Sequence, residues 1–391
     1  MEYNKYFIII VIVATIFGIF FAIFTNDLIT DNITNNNVKN NTKDNREESD
    51  DINKDNIKEE EKYENKDSAK EDENENTNED SAKEEDKINE EPSKSKKTII
   101  AVSYSTDNSY IYPTIVSITS LVINSAINTF YNIYILHPPD FKEKSKIFLN
   151  SVVNKYPDKL SIIYFNMGNK YKGLGLNFRI TTPTYYRLSL HELLPDVNRI
   201  IYLDGDTAAF DDLTELYKLD MKGNIIMGFL DGFPESIKSF GFDKPTVVCA
   251  GVLLMDLDGL RKYGYTKKIN DFIDRNKNKL AQQDQTIVNV LFQDKLGALP
   301  PRYGIWSFSK KEDAIGHNSK QWPHLKYDEK ELLEAYAHPG IVHYVWPKPF
   351  WRKQTGYYKE WWDLARLTGF YDEIYNKCPR PFLRFLLNSY N

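Results

Sequence analysis

Cysteine is nearly absent. Cys249 and Cys378 are the only two in 391 residues, too few for a disulfide framework and silent on redox compartment. A strongly basic patch is also missing. Residues 26–97 carry 24 acidic against 13 basic side chains, residues 1–25 one of each, and 98–391 are left with 31 acids and 36 bases. A net of +5 on that last part is compatible with an anionic ligand and excludes a nucleic-acid footprint. Apolar periodicity is missing from Asn26 to Lys97, an Asn/Asp/Glu/Lys-rich tract in which Tyr63 is the one aromatic residue. Such a segment buries too little apolar surface to offset its ordering entropy, so it reads as a disordered acidic stem.

Charge is absent from Phe7 to Phe24, "FIIIVIVATIFGIFFAIF". Eighteen helical residues span about 27 Å, enough for a bilayer core. No small-x-small cleavage site follows, which favours a retained anchor over a signal peptide. Lys5 before the run and acids after it predict a cytoplasmic N-terminus with the bulk of the chain across the membrane. The expected organisation is therefore 1–25 cytoplasmic tip and transmembrane anchor, 26–97 stem, and 98–391 folded domain. A type II layout of this kind suits a Golgi membrane in a eukaryote. In a bacterium an inner-membrane location is expected.

From Thr98 the texture changes. "TIIAVSY", "FYNIYIL", "KLSIIYF" and "RIIYL" are apolar runs of strand length, separated by segments with helical spacing: "YPTIVSITSLVINSA", "DFKEKSKIFLNSVVNKY" and "TPTYYRLSLHELL". Alternation of this kind predicts an α/β fold with a mostly parallel sheet flanked by helices, and ligands beyond the strand C-termini. Asp204 and Asp206 lie there, after "RIIYL", as does "STDNSY" after the first strand. Two hard oxygen donors one residue apart suit Mg²⁺ or Mn²⁺. Helix capping does not explain them, because Asp211 or Asp212 is better placed before "LTELYKL". A phosphatase of the haloacid dehalogenase type also carries D-x-D after its first strand. It wants Thr or Val four residues after the first Asp, where this chain has Ala208, and its motif opens the domain.

Six segments then occur in order: "STDNSYIYPTIVSITSLVIN", "TTPTYYRLSL", "IIYLDGDTAAFDDLTELYKLDM", "AGVLLMDLDGLR", "QQDQTIVNVLF" and "IVHYVWPKPFW". Together they resemble glycosyltransferase family 8, the retaining galactosyl-, glucosyltransferase and glycogenin type, over about 98–375. The resemblance implies a GT-A fold with a single mixed sheet, a UDP-sugar donor, a glycan, glycolipid or glycoprotein acceptor, and Mn²⁺ or Mg²⁺. By the same resemblance Asp107 would hydrogen-bond the uracil edge with Tyr110 stacked nearby. Asp204, Asp206 and His343 would bind the metal, and Lys348 the diphosphate. Arg187, Asp231 and the Cys249–Gly251 segment would contact the donor sugar, and Asp284 and Gln285 would lie beneath the anomeric carbon.

Two departures stand out. "HYVWPKPFW" has Trp346 where the family carries glycine and one residue fewer before Lys348, and Cys249 replaces an asparagine. The other histidines, His137, His191, His317, His324 and His338, read as structural or surface residues. The aromatics of 357–375 read as one helix packed on the domain, and "CPRPFLRFLLNSYN" as a candidate amphipathic tail. Retention permits either a nucleophile on the opposite face, for which Asp284 is the available acid, or front-face attack. The competing reading of the whole chain is a catalytically inactive, membrane-tethered protein that binds a nucleotide sugar or glycan.

Overall fold

The computed structural model describes residues 97–377, apart from 177–179, 232–234, 322–323, 346–347 and 352–354. The anchor at 7–24, the stem, Trp346 and the tail from Cys378 lie outside the described residues. Among those described, no helix is long and apolar enough to cross a membrane.

Ten strands are present among the described residues: β1 (Thr98–Ser105), β2 (Thr129–His137), β3 (Leu160–Asn166), β4 (Arg199–Leu203), β5 (Thr207–Ala209), β6 (Ile226–Leu230), β7 (Val248–Asp256), β8 (Leu296–Ala298), β9 (Tyr303–Trp306) and β10 (Ile341–His343). Seven form the main sheet in the order β3-β2-β1-β4-β7-β6-β8. The β3-β2-β1-β4 half is parallel, with Val102 opposite Ile201 and Tyr104 opposite Leu203. Strand β7 runs antiparallel between β4 and β6. The predicted mixed, mostly parallel sheet is therefore present, but it is not single. Strands β5, β10 and β9 make a second sheet of three. Runs of three or four residues such as "IVH" are too short to carry a readable period, so the sequence did not reveal it.

Strand β1 and the helix Ile111–Ile123 are buried almost throughout, as their predominantly apolar sequences require. The helix also carries a polar stripe against β5. Ser120 Oγ accepts the Ala209 N–H at 2.8 Å, Asn124 Nδ2 donates to the Ala209 carbonyl at 2.9 Å, and Ser117 pairs with Thr207 at 2.9 Å. An edge strand of three residues has its outer backbone groups satisfied by side chains. Two helical expectations change. Residues Thr182–Ser189 form a 3₁₀ helix followed by one α turn at Leu190–Leu193, with Pro183 denying an early N–H. The 357–375 stretch divides into helices Tyr358–Leu367 and Tyr371–Lys377, broken where Gly369 takes φ +80°. Trp361 and Trp362 are buried there, as core residues.

Candidate active site

The D-G-D turn sits between the two sheets' strands. β4 delivers Asp204 from the main sheet, and Asp206 leads directly into β5 of the small one. Antiparallel pairing sets His343 opposite Thr207, and Tyr344 N–H donates to the Asp206 carbonyl at 2.9 Å. His343 Nε2 consequently lies 3.3 Å from Asp206 Oδ1 and 3.8 Å from Asp204 Oδ2. One donor atom from each of the three lies within 4.8 Å of the others. Two glycines allow this approach. A Cβ on Gly205 would come 3.1 Å from Tyr110 Cδ1, and one on Gly251 would stand 2.7 Å from both ring nitrogens of His343. The contact at Gly251, and the still closer one a Gly205 Cβ would make with Thr114 Oγ1, are shorter than real side chains tolerate, so the turn and the ring need glycine there.

Lys348 Nζ pairs with Asp206 Oδ2, and Tyr110 Oη donates to the same oxygen at 2.7 Å. Two of the residues expected at the donor thus gather on Asp206. The Tyr110 ring meets Phe350 edge-on at 5.6 Å and lies 5.9 Å from Lys348 Nζ. Asp107 is engaged within its own loop. Its Oδ1 accepts from Ser109 N–H at 2.8 Å, Ser109 Oγ at 2.5 Å and Tyr110 N–H at 3.1 Å, and its Oδ2 from Thr181 Oγ1 at 2.9 Å. The carboxylate shapes the loop that presents Tyr110; lone pairs remain for a further donor.

Arg187, only 3% exposed, links the turn to the helix Gln283–Leu291. Its Nη2 donates to Asp204 Oδ1 at 2.9 Å, its Nη1 to the Ala250 carbonyl, and its Nε–H to the Thr184 carbonyl at 2.9 Å. The guanidinium also lies 4.1 Å over the Tyr202 ring. Asp284 Oδ2 is 2.9 Å from Arg187 Nε yet has no aligned hydrogen bond, because that N–H is directed to Thr184. Asp284 Oδ1 accepts from Thr184 Oγ1 at 2.5 Å. Burial pushes the Asp284 carboxyl up to about 6, with Arg187 and Thr184 offsetting only part of the effect. At Asp204 burial also pushes upward, but Arg187 and His343 outweigh it and the net direction is down. Two acids on one guanidinium are therefore driven apart.

The remaining polar groups meet at an irregularity in the sheet. Gly228 pairs with Leu253, yet Phe229 pairs with Cys249, so residues 250–252 of β7 have no partner in β6. Ala250 N–H is taken by Gln285 Oε1 at 3.0 Å, and the Gly251 carbonyl by Asp204 N–H at 2.8 Å. Gln285 Nε2 donates to Asp231 Oδ2 at 2.8 Å. Just before Asp284, Gln283 holds φ +49°, an uncommon conformation for a side-chain-bearing residue. Sequence reasoning missed Thr184, Tyr202 and Gln283, since nothing local distinguishes a hydroxyl or amide that serves a neighbour. Cys249 Sγ lies 3.6 Å from His343 Nδ1, a contact its position in the sequence did not suggest. The other histidines have the structural or surface character expected. His137, His191 and His317 are buried, and His324 and His338 are exposed.

A mixed α/β sheet with a carboxylate pair at a strand C-terminus and a histidine from a second small sheet defines the GT-A-like class of transferase folds. Two solved structures match at that level. A galactosyltransferase LgtC in complex with donor and acceptor sugar analogues superposes with TM-score 0.59 at 23% identity, covering 68% of this chain and 95% of its own. A WbbM bifunctional glycosyltransferase in its apo form gives 0.58 at 19%, covering 72% and 52%. The model of glycosyl transferase family 8 matches residues 101–355, and the chain belongs to that family. General stress protein A of Bacillus subtilis is 25% identical over 193 residues, 48% of this chain and 65% of that protein. A putative glycosyltransferase of Haemophilus influenzae is 25% identical over 266 residues, 66% and 74%. Probable galacturonosyltransferase-like 10 of Arabidopsis thaliana is 30% identical over 194 residues, 44% and 49%. The chain thus spans less than two thirds of the first relative's length and about half of the third's.

Proposed function

We propose that this protein is a metal-dependent retaining hexosyltransferase that takes galactose or glucose from a UDP-linked donor and passes it to a glycan, glycolipid or glycoprotein. The observation that carries the reading is the convergence of Asp204, Asp206 and His343 on one point, with Lys348 beside them. Two carboxylates and an imidazole fit a divalent cation, Mn²⁺ or Mg²⁺, and the nitrogen ligand favours Mn²⁺, since Mg²⁺ is bound through oxygen. When bound, that cation supplies Lewis-acid stabilisation of the charge growing on the leaving diphosphate. Lys348, paired with Asp206, adds a second positive charge on the same side, and the diphosphate is the role assigned to it. Tyr110 and the Asp107 loop are assigned to the nucleoside end on the resemblance to the family.

Asp284 and Gln285 take different roles. Both ends of the Gln285 carboxamide are engaged, by Ala250 and Asp231, so its carbonyl positions the site instead of attacking. Asp284 keeps a buried oxygen with no aligned donor and is the group assigned to the positive charge that develops on the sugar. Arg187 holds it in place. The Phe7–Phe24 run anchors the chain in a membrane in type II orientation, a reading supported by composition alone.

Turnover decides between this and a binding protein. UDP release is measured from UDP-galactose, UDP-glucose and UDP-galacturonate, with and without Mn²⁺, against a panel of acceptor glycans. The galacturonate arm is included because of the Arabidopsis relative. Metal-stimulated release with one donor is expected. Absence of stimulated turnover with every donor would refute the assignment.

A further inference from the structure

His343 has two ring nitrogens with separate tasks. Nε2 faces the carboxylates at 3.3 and 3.8 Å. Nδ1 faces Cys249 Sγ at 3.6 Å, and among the described residues neither of these two atoms has another hydrogen-bond partner. Both residues are buried, and the ring lies against Gly251, where no side chain fits. A neutral imidazole can offer the Nε2 lone pair to a cation only when its proton sits on Nδ1. In a site closed to water that N–H needs an acceptor, and the sulfur is the one available.

We propose that Cys249 is the positioning residue of the metal ligand His343. Its sulfur accepts the Nδ1 proton and so holds the ring in the tautomer and orientation that leave Nε2 free for the cation. The donor-sugar contact expected of this position is thereby replaced by a task directed at the metal. This inference rests on the metal reading of Asp204, Asp206 and His343. Sulfur is a weaker acceptor than the carboxylate or carbonyl that usually fills this role, so the ring is held less firmly here.

Cys249→Val, Cys249→Ala and Cys249→Ser test it in the full chain without nucleotide. Valine fills the volume with no acceptor, and serine restores one. Mn²⁺ affinity is read from the electron paramagnetic resonance signal of free Mn²⁺, and the His343 tautomer from imidazole ¹⁵N shifts of the protein loaded with diamagnetic Mg²⁺. Thermal melting confirms that each variant is folded. Valine and alanine should lose about tenfold or more in Mn²⁺ affinity, with serine recovering most of it. Wild type and the serine variant should carry the proton on Nδ1, and the valine variant should lose that preference. A valine variant that binds Mn²⁺ as wild type does, or a wild-type ring protonated on Nε2, overturns the proposal. If wild type binds no Mn²⁺ the metal reading and the proposal fall together, whereas wild-type Mn²⁺ binding that Cys249→Val leaves unaltered overturns the role of Cys249 alone.

Discussion

Asp284→Asn should make this protein more stable at neutral pH while impairing transfer. The Asp284 carboxyl is pushed from 3.8 up to about 6 in the folded state. A gap of about 2.2 units, at about 1.36 kcal/mol each, corresponds to about 3 kcal/mol. Because the folded state binds the proton more tightly, Asp284 favours folding below about pH 4 and loses that contribution as pH rises through about 6. Asparagine cannot ionise, so its advantage over wild type should grow from about 1.5 kcal/mol at pH 5 to about 3 kcal/mol at pH 7.5. For a domain of this size the latter is about 6 °C in Tm. Thermal unfolding by circular dichroism without divalent cations is the assay. The difference between the two proteins must be followed, since His191 and His317, pushed down to about 4 by burial, tilt the raw curve the other way over the same window. A variant less stable than wild type at pH 7.5, or a difference flat from pH 5 to 7.5, would refute the reasoning.

Asp206→Asn should abolish Mn²⁺-dependent UDP binding measured by calorimetry; unchanged binding would remove the pair from the metal site. Gly251→Ala drives a methyl against the His343 ring, and should lower Mn²⁺ affinity and destabilise by about 1–3 kcal/mol, read from equilibrium binding and urea midpoints. Ser120→Ala strands the buried Ala209 N–H and should cost about 1–3 kcal/mol in the same unfolding assay, with a drop in Mn²⁺ affinity because β5 carries the D-G-D turn.

Strands β1 to β4 were legible because each is a continuous apolar run, buried in β1, β2 and β4 and half-exposed at the edge in β3, and the Asp204/Asp206 pair because charge after such a run has no packing reason. The small sheet was not, since β5, β9 and β10 are too short to show a period. Role assignments fared according to whether they depended on type or on neighbours. Asp212 accepts the Thr214 N–H at 2.8 Å in an Asx-type turn just ahead of the helix Thr214–Lys218, whose N-cap position is Leu213, so local chemistry placed an acid there without making it the cap. Lys348 on Asp206, Arg187 between two acids and Cys249 against His343 depend on residues 17 to 142 positions away, and no local pattern encodes them. The single-helix reading of 357–375 failed at one position, where Gly369 turns the chain.

The slipped register between β6 and β7 has a practical consequence. Ala250 lies in the middle of the sheet, yet its amide hydrogen is held by a side chain, that of Gln285. Its exchange with solvent deuterium therefore reports on the grip of one glutamine, independently of whether the sheet opens. Followed as donor is added, this single backbone amide becomes a natural gauge of when the site tightens.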